Sequence, residues 1–130
     1  MEKFYVASSF GNLDAVRYVT SKLVDNGYFH TYDWTASEKA KGSLTLDDLK
    51  TIGENEKKAV MESDFIVVLL PGGKGTHIEL GIALGQGKRI FLYSPDREIE
   101  NVETTSTFYH LPEVEKCFGT IDDLLKKISG

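Results

Sequence analysis

The sequence predicts an α/β fold, a five-stranded, doubly wound parallel sheet with helices on both faces. Segments of strand character alternate with segments of helical periodicity along the chain, which is typical of parallel sheets. The run DFIVVLL at 64–70 is apolar at nearly every position, as in a central strand that is covered on both faces. The chain has 130 residues, of which 41% are hydrophobic. That is enough for one core, and we expect one domain over residues 1–130.

The first half of the chain is predicted to contain two strands and two helices. The opening strand KFYVAS ends in two serines, and apolar residues then recur at helical spacing until an Asn-Gly pair closes the helix. A longer amphipathic segment precedes the central strand. The predicted segments are, in order, a strand at 3–8, a helix over 13–24, a strand at 28–34, a polar loop at 35–44 and a helix at 45–63.

The second half repeats the alternation after the central strand. A glycine-rich turn leads into a helix, and the segment RIFLYS then has the character of another buried strand. The predicted segments are a helix over about 76–86 ended by Gly87, a strand at 89–94, an aperiodic segment at 95–114, a short strand at 114–120 and a helix at 121–128 with Thr120 as its N-cap. This order predicts a flavodoxin-like three-layer sandwich.

The composition of the chain indicates which kinds of molecule the protein can bind. The formal net charge is -5, which argues against a nucleic acid polymer, because such binding depends on clustered Lys and Arg. No stretch is long enough to cross a membrane, and the single cysteine, Cys117, cannot form an internal disulfide. The three histidines share no metal-ligand spacing. We therefore expect a cytoplasmic protein that acts on a small molecule, without a metal or other cofactor.

The loops after the first four strands hold the candidate site residues. In an open parallel sheet, ligands bind outside the carboxyl ends of the strands, near the point where strand order reverses. The candidates for binding on the first two loops are Ser8, Ser9, Asp33 and Trp34. Trp34 has two interpretations of equal weight, a wall that stacks on a base or a side chain that completes the core.

The motif PGGKGTHIELG follows the central strand directly. Its glycines let the backbone approach a ligand closely, and the first N–H groups of the following helix can hold an anion or a sugar hydroxyl. The motif is neither a P-loop nor a dinucleotide fingerprint. Its candidate binding residues are Gly72, Gly73, Gly75 and Thr76. By spacing alone, Glu79 is equally a helix-dipole partner or a catalytic carboxylate, and its place at the crevice favours catalysis. His77 is either a phosphate contact or a solvated residue.

Three blocks of the chain carry a family resemblance: FYVASSF, SDFIVVLLP and GKGTHIELGIALGQGKRIFLYSPD. Together they resemble the nucleoside 2-deoxyribosyltransferases and their 2′-deoxynucleoside 5′-phosphate N-hydrolase relatives, over about residues 3–94. ELGIALGQGK looks like the family's E-L-G-x-A-x-x-x-G-K signature, whose Glu is the catalytic nucleophile. The resemblance implies a nucleoside deoxyribosyltransferase-like domain with Glu79 as the covalent nucleophile.

The resemblance also implies roles for other residues. Tyr5 stands in the place of the aromatic residue that orients the nucleophile, and Glu56 stands where the family has an Asp that manages the proton of the departing base. Where the hydrolases have a serine for the 5′-phosphate and the transferases an aspartate for the 5′-hydroxyl, this chain has Gly73. The residue that separates nucleotide from nucleoside substrates is therefore absent. Hydrolysis and transfer both remain open.

Two other functions fit parts of the sequence. PGGKGTHIE is similar to the PGG-x-GT-x-x-E motif of the phosphoribohydrolases often labelled lysine decarboxylase-like, which also break an N-glycosidic bond. A module of the same fold that senses a nucleotide without turnover would use residues 72–76 as an anion cradle and Glu79 as a ribose ligand.

The segment at 99–112 predicts a subunit interface. Its side chains Phe108, Tyr109 and Leu111 are apolar, and a small domain does not leave such a patch bare without a partner. The family resemblance implies a homodimer or larger homo-oligomer in which Thr105 or Ser106 contacts the site of the neighbouring subunit.

Overall fold

The computed structural model describes residues 1–36 and 43–130 and contains the predicted five-stranded parallel sheet. The strand order is β2-β1-β3-β4-β5, and every neighbouring pair is parallel. The strands are β1 (Lys3–Ala7), β2 (Phe29–His30), β3 (Phe65–Leu69), β4 (Arg89–Tyr93) and β5 (Val114–Cys117). The helices are α1 (Leu13–Asp25), α2 (Leu46–Glu62), α3 (Lys74–Gly85) and α4 (Ile121–Ser129).

The helices form one layer on each face of the sheet, so the predicted flavodoxin-like three-layer sandwich is confirmed. The chain moves one way across the sheet from β1 to β2 and the opposite way from β2 to β5. Because parallel crossovers are right-handed, this change of direction places α1 and the later connections on opposite faces. Accordingly, α1 contacts α4, and α2 contacts α3. Every residue of β3 is buried, as its uninterrupted apolar sequence predicts.

The prediction of a strand over 28–34 was wrong beyond its first residues. β2 contains only Phe29–His30, and Trp34–Ala36 form a 3-10 helix. The cause is local: Oδ1 of Asp33 accepts hydrogen bonds from the backbone N–H of Thr35 at 2.9 Å and from its hydroxyl at 2.5 Å, which turns the chain away from the sheet edge. Of the polar loop predicted at 35–44, residues 37–42 lie outside the described residues.

Side-chain caps set the starts of two helices. The Thr45 hydroxyl accepts from the N–H of Asp48, whose carboxylate accepts from the Thr45 N–H, and this capping box begins α2. Thr120 and Asp123 form the same arrangement at α4, which confirms Thr120 as the N-cap. Within residues 1–36 and 43–130, no helix combines the length and apolar character that a membrane span requires.

Candidate active site

Tyr5 and Glu79 form the buried centre of the site. Tyr5 lies in the middle of β1, fully buried, and its hydroxyl donates a hydrogen bond to Oε2 of Glu79 at 2.7 Å. Glu79 lies on α3, on the helix face that packs on the sheet together with Thr76, Leu80 and Ala83. Only 8% of its surface is exposed. A charged side chain on an otherwise apolar buried face needs a partner, and the Tyr5 phenol provides one.

Glu56 reaches the same phenol from α2. Its Oε2 lies 3.4 Å from the Tyr5 oxygen, and its side chain is half-buried. A phenol has one hydrogen, and the shorter contact assigns that hydrogen to Glu79. A hydrogen bond between Tyr5 and Glu56 then requires the proton to come from Glu56. When Glu56 is protonated, the three groups form a chain in which Glu56 donates to Tyr5 and Tyr5 donates to Glu79.

The electrostatics of the two carboxyl groups fit this chain. Burial raises the pKa of Glu79 to about 7, with the Tyr5 hydrogen bond opposing the rise and the charge of Glu56 adding to it. Burial also raises the pKa of Glu56, and the Tyr5 hydrogen bond again opposes the rise. The pKa of Tyr5 is raised by burial and by both carboxylates, so its hydroxyl remains a donor. Near neutral pH, Glu79 therefore exchanges between its protonated and ionised forms.

The glycine loop, which we define as residues 71–75, presents backbone donors beside this centre. The Gly73 N–H donates to Oγ1 of Thr76 at 3.0 Å, which starts α3 two residues earlier than predicted. Within residues 1–36 and 43–130, no acceptor meets the backbone N–H groups of Lys74, Gly75 and Thr76. Unpaired donors at the first turn of a helix favour a negative or hydroxyl group nearby.

Side chains that follow β1 donate hydrogen bonds to backbone carbonyl groups at the end of β3 and in the glycine loop. The Ser8 hydroxyl donates to the Leu69 carbonyl at 2.7 Å, and the Ser9 hydroxyl donates to the Pro71 carbonyl at 3.2 Å. The Asn12 amide donates to the same Pro71 carbonyl at 3.2 Å and to the Ser8 hydroxyl at 3.1 Å. Of the two predicted serines, Ser8 thus contacts the backbone at the end of β3 and Ser9 contacts the backbone of the loop that follows. Asn12 was not among the predicted site residues, and its signal in the sequence is only the Gly-Asn pair at 11–12 before α1.

Two solved structures share this architecture over their full lengths. The CMP N-glycosidase BcmB of Clostridium botulinum is 18% identical, with a TM-score of 0.64, over 99% of this chain and 100% of that chain. This chain and BcmB share the same fold. A conserved protein from Enterococcus faecalis V583 is 20% identical, with a TM-score of 0.70, over 99% of this chain and 98% of that chain. No protein-family model and no curated protein matches the sequence.

Trp34 and Asp33 lie beside the first loop rather than at a strand end. The Trp34 indole N–H donates to the Val6 carbonyl at 2.8 Å, and its buried ring meets the exposed ring of Phe10 edge-on, with centroids 5.3 Å apart. Trp34 therefore belongs to the core and at the same time supports the exposed ring of Phe10 on the segment after β1. Asp33 accepts its hydrogen bonds from Thr35 and serves the turn.

Thr105 and Ser106 lie on a second wall, over the carboxyl ends of β3 and β4. Thr105 lines a cavity of about 400 Å³. Ser106 caps the 3-10 helix Thr107–His110 by accepting from the N–H of Phe108 at 3.3 Å. The cavity is also lined by Gly72, His77, Ser94, Asp96 and Tyr109. Neither Thr105 nor Ser106 contacts the carboxyl pair within its own chain.

The apolar patch predicted at 108–111 is mostly covered by the chain itself. Tyr109 is buried and Leu111 is half-buried against the core, whereas Phe108 is 59% exposed. The expectation that all three side chains would be bare is wrong, because the 3-10 helix turns one side of the segment onto the sheet. Phe108 is the part of the patch that a partner can cover.

Proposed function

We propose that the protein cleaves the N-glycosidic bond of a nucleoside or nucleotide, with Glu79 as the covalent nucleophile. The observation that carries the proposal is the 2.7 Å hydrogen bond from buried Tyr5 to buried Glu79 at the end of the glycine loop. Structural cores rarely bury a carboxylate with a pKa near 7 beside a second carboxyl group, and active sites often do. The likeness in fold to a CMP N-glycosidase supports the same reaction class.

In the first step, an oxygen of ionised Glu79 attacks C1′ of the sugar. The bond from C1′ to the base breaks, its electron pair goes to the base nitrogen, and Glu56 supplies the proton that the base takes up. The products are the free base, ionised Glu56 and a glycosyl ester of Glu79. This division between a nucleophile and an acid is that of retaining glycosidases.

In the second step, water or another base attacks C1′ and the ester bond breaks. Glu79 regains its carboxylate, and ionised Glu56 takes the proton that the attacking molecule loses. Water as acceptor gives hydrolysis, and a second base gives transfer. The exclusion of water from the closed site determines which acceptor reacts.

Tyr5 orients the nucleophile in this scheme. Its hydrogen bond occupies Oε2 of Glu79, and no donor from residues 1–36 or 43–130 reaches Oε1. One oxygen is therefore held and the other is available for attack. The same bond favours the ionised form of Glu79, which is the form that reacts.

We also propose that the active form is a homodimer or larger homo-oligomer. Phe108 is exposed on the segment that carries Thr105 and Ser106, and these hydroxyl groups do not reach the carboxyl pair of their own chain. In an oligomer, this segment contributes to the site of a neighbouring subunit.

Incubation with a panel of deoxynucleosides, ribonucleosides and their 5′-monophosphates, followed by chromatography for free base, tests the proposed function. We expect the wild-type protein to release base and Glu79→Ala to release none while keeping its circular dichroism spectrum, because the proposed covalent intermediate forms on this carboxylate. Binding without release by the wild type would indicate a sensor. Release only from ribonucleoside monophosphates would favour the phosphoribohydrolase type. Substantial turnover by Glu79→Ala would refute the nucleophile.

A further inference from the structure

His77 joins two segments that flank the carboxyl ends of β3 and β4. Its Nδ1 lies 2.7 Å from the Gly73 carbonyl oxygen, and its Nε2 lies 2.5 Å from the Tyr109 hydroxyl. The two rings are tilted, with centroids 5.8 Å apart. Gly73 belongs to the glycine loop, and Tyr109 belongs to the 3-10 helix Thr107–His110. The imidazole therefore bridges the loop to that helix.

The hydrogen-bond partners determine the tautomer of the imidazole. A carbonyl oxygen can only accept, so Nδ1 must carry a hydrogen that it donates to Gly73. In neutral His77, Nε2 then has a free lone pair and accepts from the Tyr109 hydroxyl. Tyr109 is buried, and burial raises its pKa, so its hydroxyl keeps the hydrogen that it donates.

Holding the Gly73 carbonyl also aims the next N–H group. A trans peptide unit is planar, and its C=O and N–H groups point in opposite directions. The Gly73 carbonyl accepts from the His77 side chain and, at 3.3 Å, from its backbone N–H. The N–H of Lys74 must therefore point away from His77. It is one of the donors for which residues 1–36 and 43–130 supply no acceptor.

The opposite end of the loop is held in the same way. Ser9 and Asn12 both donate to the Pro71 carbonyl, which aims the N–H of Gly72. Glycines allow this loop many conformations, and the side-chain donors on its two sides restrict them. At Gly73 no atom beyond its chain neighbours lies within 4 Å of where a side chain would begin, so hydrogen bonds rather than side-chain packing fix its peptide groups.

We propose that His77 is a positioning residue for substrate binding: held by Tyr109, it fixes the Gly73 peptide so that the Lys74 N–H donates to the sugar or its 5′ substituent. This inference rests on the proposed function. His77 touches neither Glu79 nor the reacting bond. Its contribution to binding is the same in the ground state and the transition state, and it affects KM rather than kcat.

Steady-state kinetics of variants on the best substrate of the panel test this role. We expect His77→Ala to raise KM about 5- to 30-fold, as the loss of one to two hydrogen bonds would, and to leave kcat within about twofold. His77→Asn keeps a donor in the position of Nδ1 and should restore most of the loss. Tyr109→Phe should give an intermediate KM. The KM of the double variant should match that of His77→Ala, because both substitutions break the same bridge.

Tyr18→Phe is the matched control for Tyr109→Phe. Its hydroxyl donates to Asp122 at 2.8 Å on the surface between α1 and α4, and its loss should leave KM unchanged. The bridge itself is checked by long-range ¹⁵N–¹H correlation spectra of the histidines, in which His77 should show the Nδ1–H tautomer in the wild type.

Three results would overturn the inference. One is the other tautomer of His77 in the spectra. Another is that the wild type is active and His77→Ala leaves KM unchanged. The third is that the fold-increase in KM of the double variant equals the product of the fold-increases of the two single variants. If the wild type releases no base from any member of the panel, the proposed function fails first and the inference fails with it.

Discussion

The Tyr5 hydroxyl donates a 2.7 Å hydrogen bond to Oε2 of Glu79, across a sequence separation of 74 residues. This bond joins the centre of β1 to the helix that follows the glycine loop, and Glu56 approaches the same phenol from α2. One strand of the sheet and the two helices α2 and α3 thus meet at one phenol oxygen. The pKa values, the stability and the proposed chemistry of the site all depend on this contact.

The first prediction concerns the pH dependence of kcat/KM, which reports the free enzyme. Glu79 must be ionised to attack, and its pKa is about 7, so kcat/KM should rise with pH up to about 7. Tyr5→Phe removes the hydrogen bond that lowers this pKa and should move the rise to higher pH. When Glu56 is ionised, its negative charge raises the pKa of Glu79, so Glu56→Gln should move the rise to lower pH. Shifts of the same sign in both variants would contradict the arrangement.

The second prediction concerns stability. The pKa of Glu79 is about 7 in the folded protein against an ordinary 4.5, so the folded state binds the proton more tightly than the unfolded chain. Stability therefore falls as pH rises between these two values. Glu79→Gln, which keeps the shape without the charge, should be more stable than the wild type at pH 8, by up to about 3 kcal/mol. The two proteins should have similar stability near pH 4.

Urea unfolding of both proteins at several pH values measures this difference. Glu54→Gln, an exposed change on α2, is the control for the loss of one negative charge. A Glu79→Gln variant that is no more stable than the wild type at pH 8 would show that burial of the ionised carboxylate costs nothing.

The third prediction concerns the proton of the departing base. Glu56→Gln should slow the release of bases that need protonation by about 10²-fold or more. Release from a nitrophenyl deoxyriboside, whose leaving group needs no proton, should slow much less. Rates with both substrates, measured for Glu56→Gln and for the exposed control Glu54→Gln, give the comparison. Equal slowing of both substrates would remove Glu56 from proton transfer.

The fourth prediction concerns the shape of the glycine loop. A Cβ atom at Gly72 would lie 2.5 Å from Cγ2 and 2.8 Å from Cβ of Thr76, whose side chain is buried and caps α3. Gly72→Ala should therefore destabilise the fold by about 1–3 kcal/mol. Gly75→Ala is the matched control, because no atom beyond its chain neighbours and the backbone of its own helix lies within 4 Å of its Cβ position. Thermal unfolding of both variants measures the difference in their stability. Equal melting temperatures would argue against the clash.

The fifth prediction concerns assembly. Light scattering at working concentration should show a homodimer or larger species, and Phe108→Glu should shift it toward the monomer, because this change places a charge on the exposed aromatic. Base release should fall with dissociation if Thr105 or Ser106 completes the site of a neighbour. A wild type that is strictly monomeric and fully active would exclude this role for the segment.

Much of the fold follows from short-range pattern. The apolar run of β3 and the helical spacing of α1 predict their elements because each residue's burial depends on its own place in the repeat. The strand predicted at 28–34 failed because the Asp33 side chain competes for the backbone, and periodicity does not include that competition.

For the site, a motif and a family resemblance supplied candidate residues, and the sequence did not predict the contacts between them. By itself, the sequence determined the alternation of elements and, through the family-like motif, the choice of Glu79, Glu56 and Tyr5 as candidates. Only the tertiary structure decided that Tyr5 donates to Glu79, that Asn12 holds Pro71 and that His77 bridges Gly73 to Tyr109. A hydrogen bond forms only when the donor–acceptor distance is right to within a few tenths of an ångström and the donor points at the acceptor. Between distant segments, this distance and direction depend on how the helices pack on the twisted sheet. No local pattern of residues contains that information.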